Sequence, residues 1–133
     1  MTRLLYIEDN EDNIFLFTRR LSKKGYQVVV ARDGVAGIAM ARSEEPALIL
    51  MDLDLPIVNG WEATRMLKAS PRTAHIPVIA VSSHAMSEDR RRALAAGCDD
   101  FFSKPVDMHA LCARIEVLVC NPPDRSPNEE PIV

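Results

Sequence analysis

Leu48-Ile49-Leu50-Met51-Asp52-Leu53-Asp54-Leu55-Pro56 is an apolar run that stops on carboxylates. A short, continuous apolar run closed by a turn residue reads as a strand buried on both faces of a sheet. Such a strand has no cheap place for a charge, so the carboxylates at its end call for a reason. The same form occurs upstream, where the run before Tyr6-Ile7 stops on Glu8-Asp9-Asn10. If the two runs are neighbouring parallel strands, Glu8, Asp9 and Asp52 converge at one end of the sheet. Carboxylates crowded in this way repel, which raises their pKa values or demands a cation. Neither fragment contains His or Cys, and an all-oxygen donor set suits a hard ion such as Mg²⁺ better than zinc. That combination points to phosphate chemistry.

Working outward, short β-rich runs alternate with helical patterns. Leu4 to Ile7 is the first strand. Asp12 to Lys24 follows as a helix, with Ile14, Phe17 and Leu21 on one face and Gly25 as its terminator. Gln27 to Ala31 is the second strand, Asp33-Gly34 a turn, and Val35 to Ser43 the second helix, with Val35, Ile38 and Ala39 expected on its buried face. Pro46 breaks that helix, and Ala47 to Met51 is the third strand. Asn59-Gly60 punctuates the loop before a helix from Trp61 to Ala69. Pro77 to Val81 is the fourth strand. Ser87 is placed to cap a helix that runs to about Ala96 and stops at Gly97. Asp100 to Ser103 is the fifth strand, and Met108, Leu111, Ile115 and Leu118 stripe the last helix.

Five such units with near-continuous apolar strands imply a doubly wound α/β domain, a parallel sheet covered by helices on both faces. Ligands of such sheets bind beyond the carboxyl ends of the strands. Glu8 and Asp9, Asp52, Ser82 and Lys104 all fall at those ends. Residues 1–120 are therefore read as one domain. From Asn121 to Val133 the chain is polar and rich in proline, and is expected to be a disordered tail.

The 133 residues carry a net charge of −3 and are 47% hydrophobic, the balance of a globular domain with its own core. Nucleic-acid binding is not expected without clustered cations, nor membrane insertion without a long apolar span. No export signal precedes the first strand, so a cytoplasmic location is expected. Cys98, Cys112 and Cys120 lack metal-ligand spacing and read as reduced thiols.

These marks together resemble the receiver domain of two-component response regulators: Glu8-Asp9 after the first strand, Asp52 followed by Pro56 and Gly60, Ser82 ending the fourth strand, and Lys104-Pro105 after the fifth. The likeness covers Arg3 to about Cys120. It implies a flavodoxin-like (βα)5 fold with strand order 2-1-3-4-5. It also implies a function: Asp52 takes a phosphoryl group from a phosphohistidine supplied by a histidine kinase or phosphotransfer protein. Mg²⁺ would be held by Asp9, Asp52 and the backbone carbonyl of Asp54, with Glu8 acting through water. Lys104 would meet a phosphoryl oxygen as a point charge. Ser82 would donate to another, and Phe101 would follow from an exposed rotamer, altering the face formed by the fourth helix, fifth strand and fifth helix, where a downstream protein docks. A cis Lys104–Pro105 bond belongs to the same pattern. Asp54 and His84, each two residues beyond a site residue, are expected to tune the lifetime of the phosphorylated form.

The leading reading is thus a stand-alone receiver without enzymatic output of its own. An alternative is a phosphorelay shuttle or an allosteric modulator of a kinase. A further alternative is a Mg²⁺-dependent phosphatase with Asp52 as nucleophile and Asp54 as acid, the D-x-D arrangement of haloacid-dehalogenase-type hydrolases. A flavin-binding flavodoxin is set aside, because Glu8-Asp9 would repel the FMN phosphate. Trp61 reads as a packing residue, and Arg90-Arg91-Arg92 as a solvated helix face.

Overall fold

The apolar runs become strands and the periodic segments become helices in a computed structural model that describes residues 2–55, 58–83 and 87–120. The elements are β1 (Arg3–Ile7), α1 (Glu11–Lys23), β2 (Gln27–Ala31), α2 (Gly34–Glu44), β3 (Leu48–Asp52), α3 (Gly60–Ala69), β4 (Val78–Ser82), α4 (Ser87–Ala96), β5 (Asp100–Ser103) and α5 (Met108–Cys120). Among the described residues the five strands form one sheet in the order β2-β1-β3-β4-β5, and every pairing is parallel. The fold class and strand order are those expected. The proposed tail, Asn121 to Val133, lies outside the described residues, as do Pro56 and His84.

Strand alternation sends successive side chains to opposite faces, so the sheet separates two cores. Leu4, Tyr6, Leu48, Leu50, Ile79 and Val81 pack with α1 and α5. Leu5, Ile7, Ile49, Met51, Val78 and Ala80 pack under α2, α3 and α4. The central strand β3 is buried along its whole length, which explains its unbroken apolar sequence.

Four of the helices start on side-chain caps, α5 on Asp107, whose Oδ1 accepts from His109 N (3.0 Å) and Ala110 N (3.2 Å). The carboxamide of Asn10 accepts from Asn13 N (3.0 Å), Asp33 from Ala36 N (2.8 Å) and Asn59 from Glu62 N (2.9 Å). Each cap satisfies an amide that has no partner inside its helix. Gly34 and Gly60, expected as turn residues, are instead the first residues of α2 and α3. A Cβ on Gly60 would stand 2.4 Å from the Asp52 carbonyl oxygen, and one on Gly34 would stand 2.7 Å from that of Val58. These glycines serve close approach. Gly25 and Gly97 do end their helices with positive φ (92° and 114°).

The buried face of α2 is a correction. Val35 and Ala39 are exposed, and Gly34, Gly37, Ile38 and Ala41 are the buried residues. The spacing 34, 37, 38 and 41 is a helical stripe, but two of its members are glycine and carry no hydrophobic signal. A Cβ on Gly37 would come 2.5 Å from Ile7 Cδ1, so α2 sits too close to β1 for a larger residue.

Candidate functional site

Parallel register brings the expected site residues together. Ile7 pairs with Met51, Asp52 with Val81 and Ser82 with Ser103, so Glu8, Asp52, Ser82 and Lys104 follow one another along the carboxyl edge. β1 is prolonged by Glu8 N donating to Ala31 O (2.9 Å), which fixes Glu8 at the rim of the sheet. Glu8 is 1% exposed and Asp52 2% exposed, whereas Asp9 faces solvent. One carboxylate oxygen from each of the three lies within 4.8 Å of the others.

Glu8 is the most heavily supported of the three. Its Oε1 accepts from Tyr6 Oη (3.0 Å), Asn13 Nδ2 (3.2 Å) and Lys104 Nζ (3.2 Å), and its Oε2 accepts from Asn10 N (3.4 Å). Burial pushes its pKa up, but hydrogen bonds from Asp52 and Tyr6 and the charge and hydrogen bond of Lys104 outweigh it and hold Glu8 below the usual range. Asp52 accepts from Asp54 N at Oδ1 (3.0 Å), and Lys104 Nζ stands 3.7 Å from the same oxygen. Burial first, and then the proton shared with Glu8 and the charge of Glu8, push the Asp52 carboxyl up to about 7. The pair is thus costly to ionise together, and Asp52 is the member pushed up while Glu8 is held down. The phenol of Tyr6 is raised in turn by burial and by Glu8.

Ser82 is buried at the end of β4, and Lys104 N donates to its carbonyl (2.7 Å). The Lys104–Pro105 bond is cis. Asp54 is exposed at the mouth, where its Oδ2 accepts from Ser83 Oγ (3.0 Å) and Ser83 N (3.4 Å), tying the loop after β3 to the loop after β4. Phe101 differs from the exposed rotamer expected for it. It is 7% exposed, in the core cluster that includes Ala80, Ala93 and Cys98.

Three contributors went unnoticed in the sequence: Tyr6, Asn13 and Ser83. Tyr6 was within reach of the reasoning, because a residue two before Glu8 on a strand shares its face. Asn13 and Ser83 gave no signal, since a polar residue beside a loop is the ordinary case. Trp61 packs against the α2–α4 core as expected, and the Arg92 guanidinium lies over its ring at 4.0 Å. Arg91 pairs with Glu88 (3.7 Å) at the surface.

The donor set fits a hard divalent cation. Three carboxylates offer oxygen alone, one oxygen from each within 4.8 Å of the others, and a single lysine faces the two buried ones. A parallel α/β domain whose central strand ends on such a cluster, with a lysine across from it, has the form of a metal-assisted phosphate site. Residues 4–116 match the response regulator receiver domain, and the chain belongs to that family. It is similar to the polar-differentiation response regulator DivK of Brucella anthropi, at 41% identity over 105 residues, covering 79% of this chain and 85% of that protein. It is also similar in structure to the receiver domain of a sensor histidine kinase of Pseudomonas aeruginosa solved with a magnesium ion coordinated in its active-site cleft. That likeness has a TM-score of 0.84 at 30% identity, covering 90% of this chain and 98% of the other. A third likeness is to a co-crystal structure from Saccharomyces cerevisiae that joins a histidine phosphotransfer protein to the receiver domain of its downstream response regulator. Its TM-score is 0.82 at 27% identity, with 90% of this chain and 89% of that one covered. Receivers are signalling proteins that interact with histidine kinases or phosphotransfer proteins. Among the described residues no helix is long and apolar enough to cross a membrane.

Proposed function

We propose that Asp52 is the phosphoacceptor of this receiver and that its phosphorylation controls a protein-binding surface. The observation that carries the reading is a buried carboxylate at the end of the central strand, 2% exposed, with Lys104 Nζ 3.7 Å away and an acidic pair beside it. An Asp52 oxygen would attack the phosphorus of a phosphohistidine. The P–N bond would break, and its electron pair would leave with the imidazole. Phosphoryl transfer asks the protein for positioning and charge neutralisation more than for covalent chemistry. Lys104 can turn from Glu8 to a phosphoryl oxygen, and the Ser82 hydroxyl can donate to another.

Asp9, Asp52 and the Asp54 backbone carbonyl would hold Mg²⁺, with Glu8 joining through water. When bound, the ion supplies positive charge that offsets the phosphoryl oxygens and favours the ionised nucleophile. Asp54, held by Ser83 at the mouth, would tune hydrolysis of the acyl phosphate together with His84. Signal output would pass through Ser82 and Phe101 to the face formed by α4, β5 and α5. The likeness to DivK and to a receiver captured with a phosphotransfer protein supports both a terminal regulator and a relay member, acting by contact.

Acetyl phosphate labelling tests the assignment. The parent should acquire one acid-stable, hydroxylamine-labile phosphoryl group, and Asp52→Asn should acquire none. Asp9→Ala should need roughly tenfold or more Mg²⁺ for half-maximal labelling, because a hard cation loses one charged ligand. Labelling of the Asn variant at the parental level removes the assignment, and continuous turnover of a phosphate ester would favour the phosphatase reading.

A further inference from the structure

The outer face of α1 leaves two large apolar side chains in solvent, with Phe15 67% and Leu16 44% exposed. Phe15 also walls a groove of about 650 Å³ between α1 and β2, lined by Ile14, Thr18 and Val30 among others. The Oγ1 of Thr18 is enclosed there without a hydrogen-bond partner among the described residues. Toward the end of the helix, Arg19, Arg20, Lys23 and Lys24 line a second hollow together with Phe15 and Leu16. From the C-cap Lys24 toward the middle of α1, the surface therefore presents four cations and then an apolar patch. Among the described residues none of these four cations has a carboxylate within ion-pairing distance.

The segment after α5 carries the complementary order. It reads Asn121-Pro122-Pro123-Asp124-Arg125-Ser126-Pro127-Asn128-Glu129-Glu130-Pro131-Ile132-Val133, two adjacent carboxylates followed by apolar residues. It departs from Cys120, and α5 lies alongside the end of α1. Cys112 and Glu116 line a hollow with Lys24 and Tyr26, and the phenol of Tyr26 is raised by burial and by Glu116, Cys112 and Cys120. From Cys120 to Glu129 the chain can span about 30 Å when extended. From Lys24 back to Phe15 the helix rises only about 14 Å. Cys120 stands one turn beyond Glu116, which lines the hollow with Lys24, so a segment of that reach is long enough to bring its acids to the cations and its aliphatics to the apolar patch beyond them.

We propose that residues 129–133 dock on α1, with Glu129 and Glu130 among Arg19, Arg20, Lys23 and Lys24, and with Ile132 and Val133 covering Phe15 at the mouth of the groove. Exposed ion pairs are individually weak, so the docked state needs charge and apolar contact together. It is therefore salt-sensitive. No residue of the acidic site takes part, so the docking stands or falls independently of Asp52 phosphorylation.

Nuclear Overhauser contacts in the full chain decide it. The parent at low salt should show contacts between the Ile132 and Val133 methyl groups and the Phe15 ring, and these should fade as salt is raised. Glu129→Lys/Glu130→Lys should abolish them and shift the amides of residues 14–24. Adding Arg19→Glu/Arg20→Glu to that variant should restore the contacts, which a merely local effect of either change would not do. Absence of the contacts in the parent overturns the proposal. So do α1 amide shifts that depend on protein concentration and not on the tail variants, since a second copy would then cover the patch.

Discussion

At the scale of single residues, the site is a problem in charge. Asp52 is buried with a second carboxylate beside it, and its folded-state pKa of about 7 stands above its unfolded value. A carboxyl raised on folding favours the folded state fully below its unfolded pKa and loses that advantage as pH climbs through the folded one. The metal-free protein should accordingly lose stability between about pH 4 and pH 7. Glu8, held below the usual range, acts in the opposite sense, and its contribution is lost only as acid protonates it. Asp52→Asn removes the ionisable group but keeps the shape and gives Glu8 an amide donor. It should flatten the loss and leave the variant about 1–3 kcal/mol more stable than the parent at pH 8 without divalent metal. Urea unfolding at pH 5 and pH 8 measures this, and a parent with no less stability at pH 8 than at pH 5 would contradict it. The charged members of this site were legible because carboxylates at the end of an apolar strand are out of place. The uncharged ones were not: Tyr6, Asn13 and Ser83 act through hydrogen bonds whose partners are known only once the chain has folded.

At the scale of elements, the loop from β3 to α3 is held by contact between backbones. Gly60 opens α3 against the end of β3, where an added Cβ would stand 2.4 Å from the Asp52 carbonyl oxygen and 2.6 Å from Leu53 Cα. Backbone on both sides cannot turn away as a side chain could, so α3 or the Asp52 strand end must move. Gly60→Ala should destabilise the protein by about 1–3 kcal/mol, the usual range for overpacking. If Asp52 is the phosphoacceptor as proposed, the substitution should also slow acetyl phosphate labelling by displacing that carboxylate, an effect separable from stability by assaying well below the melting temperature. Gly25→Ala makes a control that acts through backbone strain far from the site, since nothing lies within 4 Å of its Cβ. Equal labelling rates for Gly60→Ala and the parent would show that the loop adjusts without moving Asp52. Element types and order were readable because strands and helices carry different hydrophobic periods, and all ten elements fall within a residue or two of expectation. The face of α2 was misread for a reason of the same kind. Its contact with Ile7 is made by glycine, and a pattern search weighted toward large apolar residues finds Val35 instead.

At the scale of the molecule, the proposed phosphorylation of Asp52 would have to act from one end of the sheet on a surface at its flank. Ser82 ends β4, whose residue Ala80 is the Cα partner of Phe101 on β5. Phe101 already lies inward, in a cluster that includes Ala93 of α4 and Cys98. A close-packed interior does not deform smoothly, so a shift of Ser82 toward a phosphoryl group has to be absorbed by whatever adjoins it. Phe101 is the large side chain on β5 best placed to absorb it, through β4 on one side and α4 on the other. Phe101→Leu keeps the site apolar while removing the ring, and should destabilise the protein by about 1–2 kcal/mol through the space left behind. Its labelling by acetyl phosphate should match the parent within about twofold, because no atom of the ring belongs to the acidic cluster. What should fall is the response at a distance. Amide shift changes in α4, β5 and α5 on phosphorylation should shrink to less than about half of the parental values, while those near Asp52 persist. This comparison separates transmission from chemistry within one variant. Parental shift changes across α4, β5 and α5 in the Leu variant would mean that the signal leaves Ser82 by another route, with the loop after β4, tied to Asp54 through Ser83, as the next connection to cut.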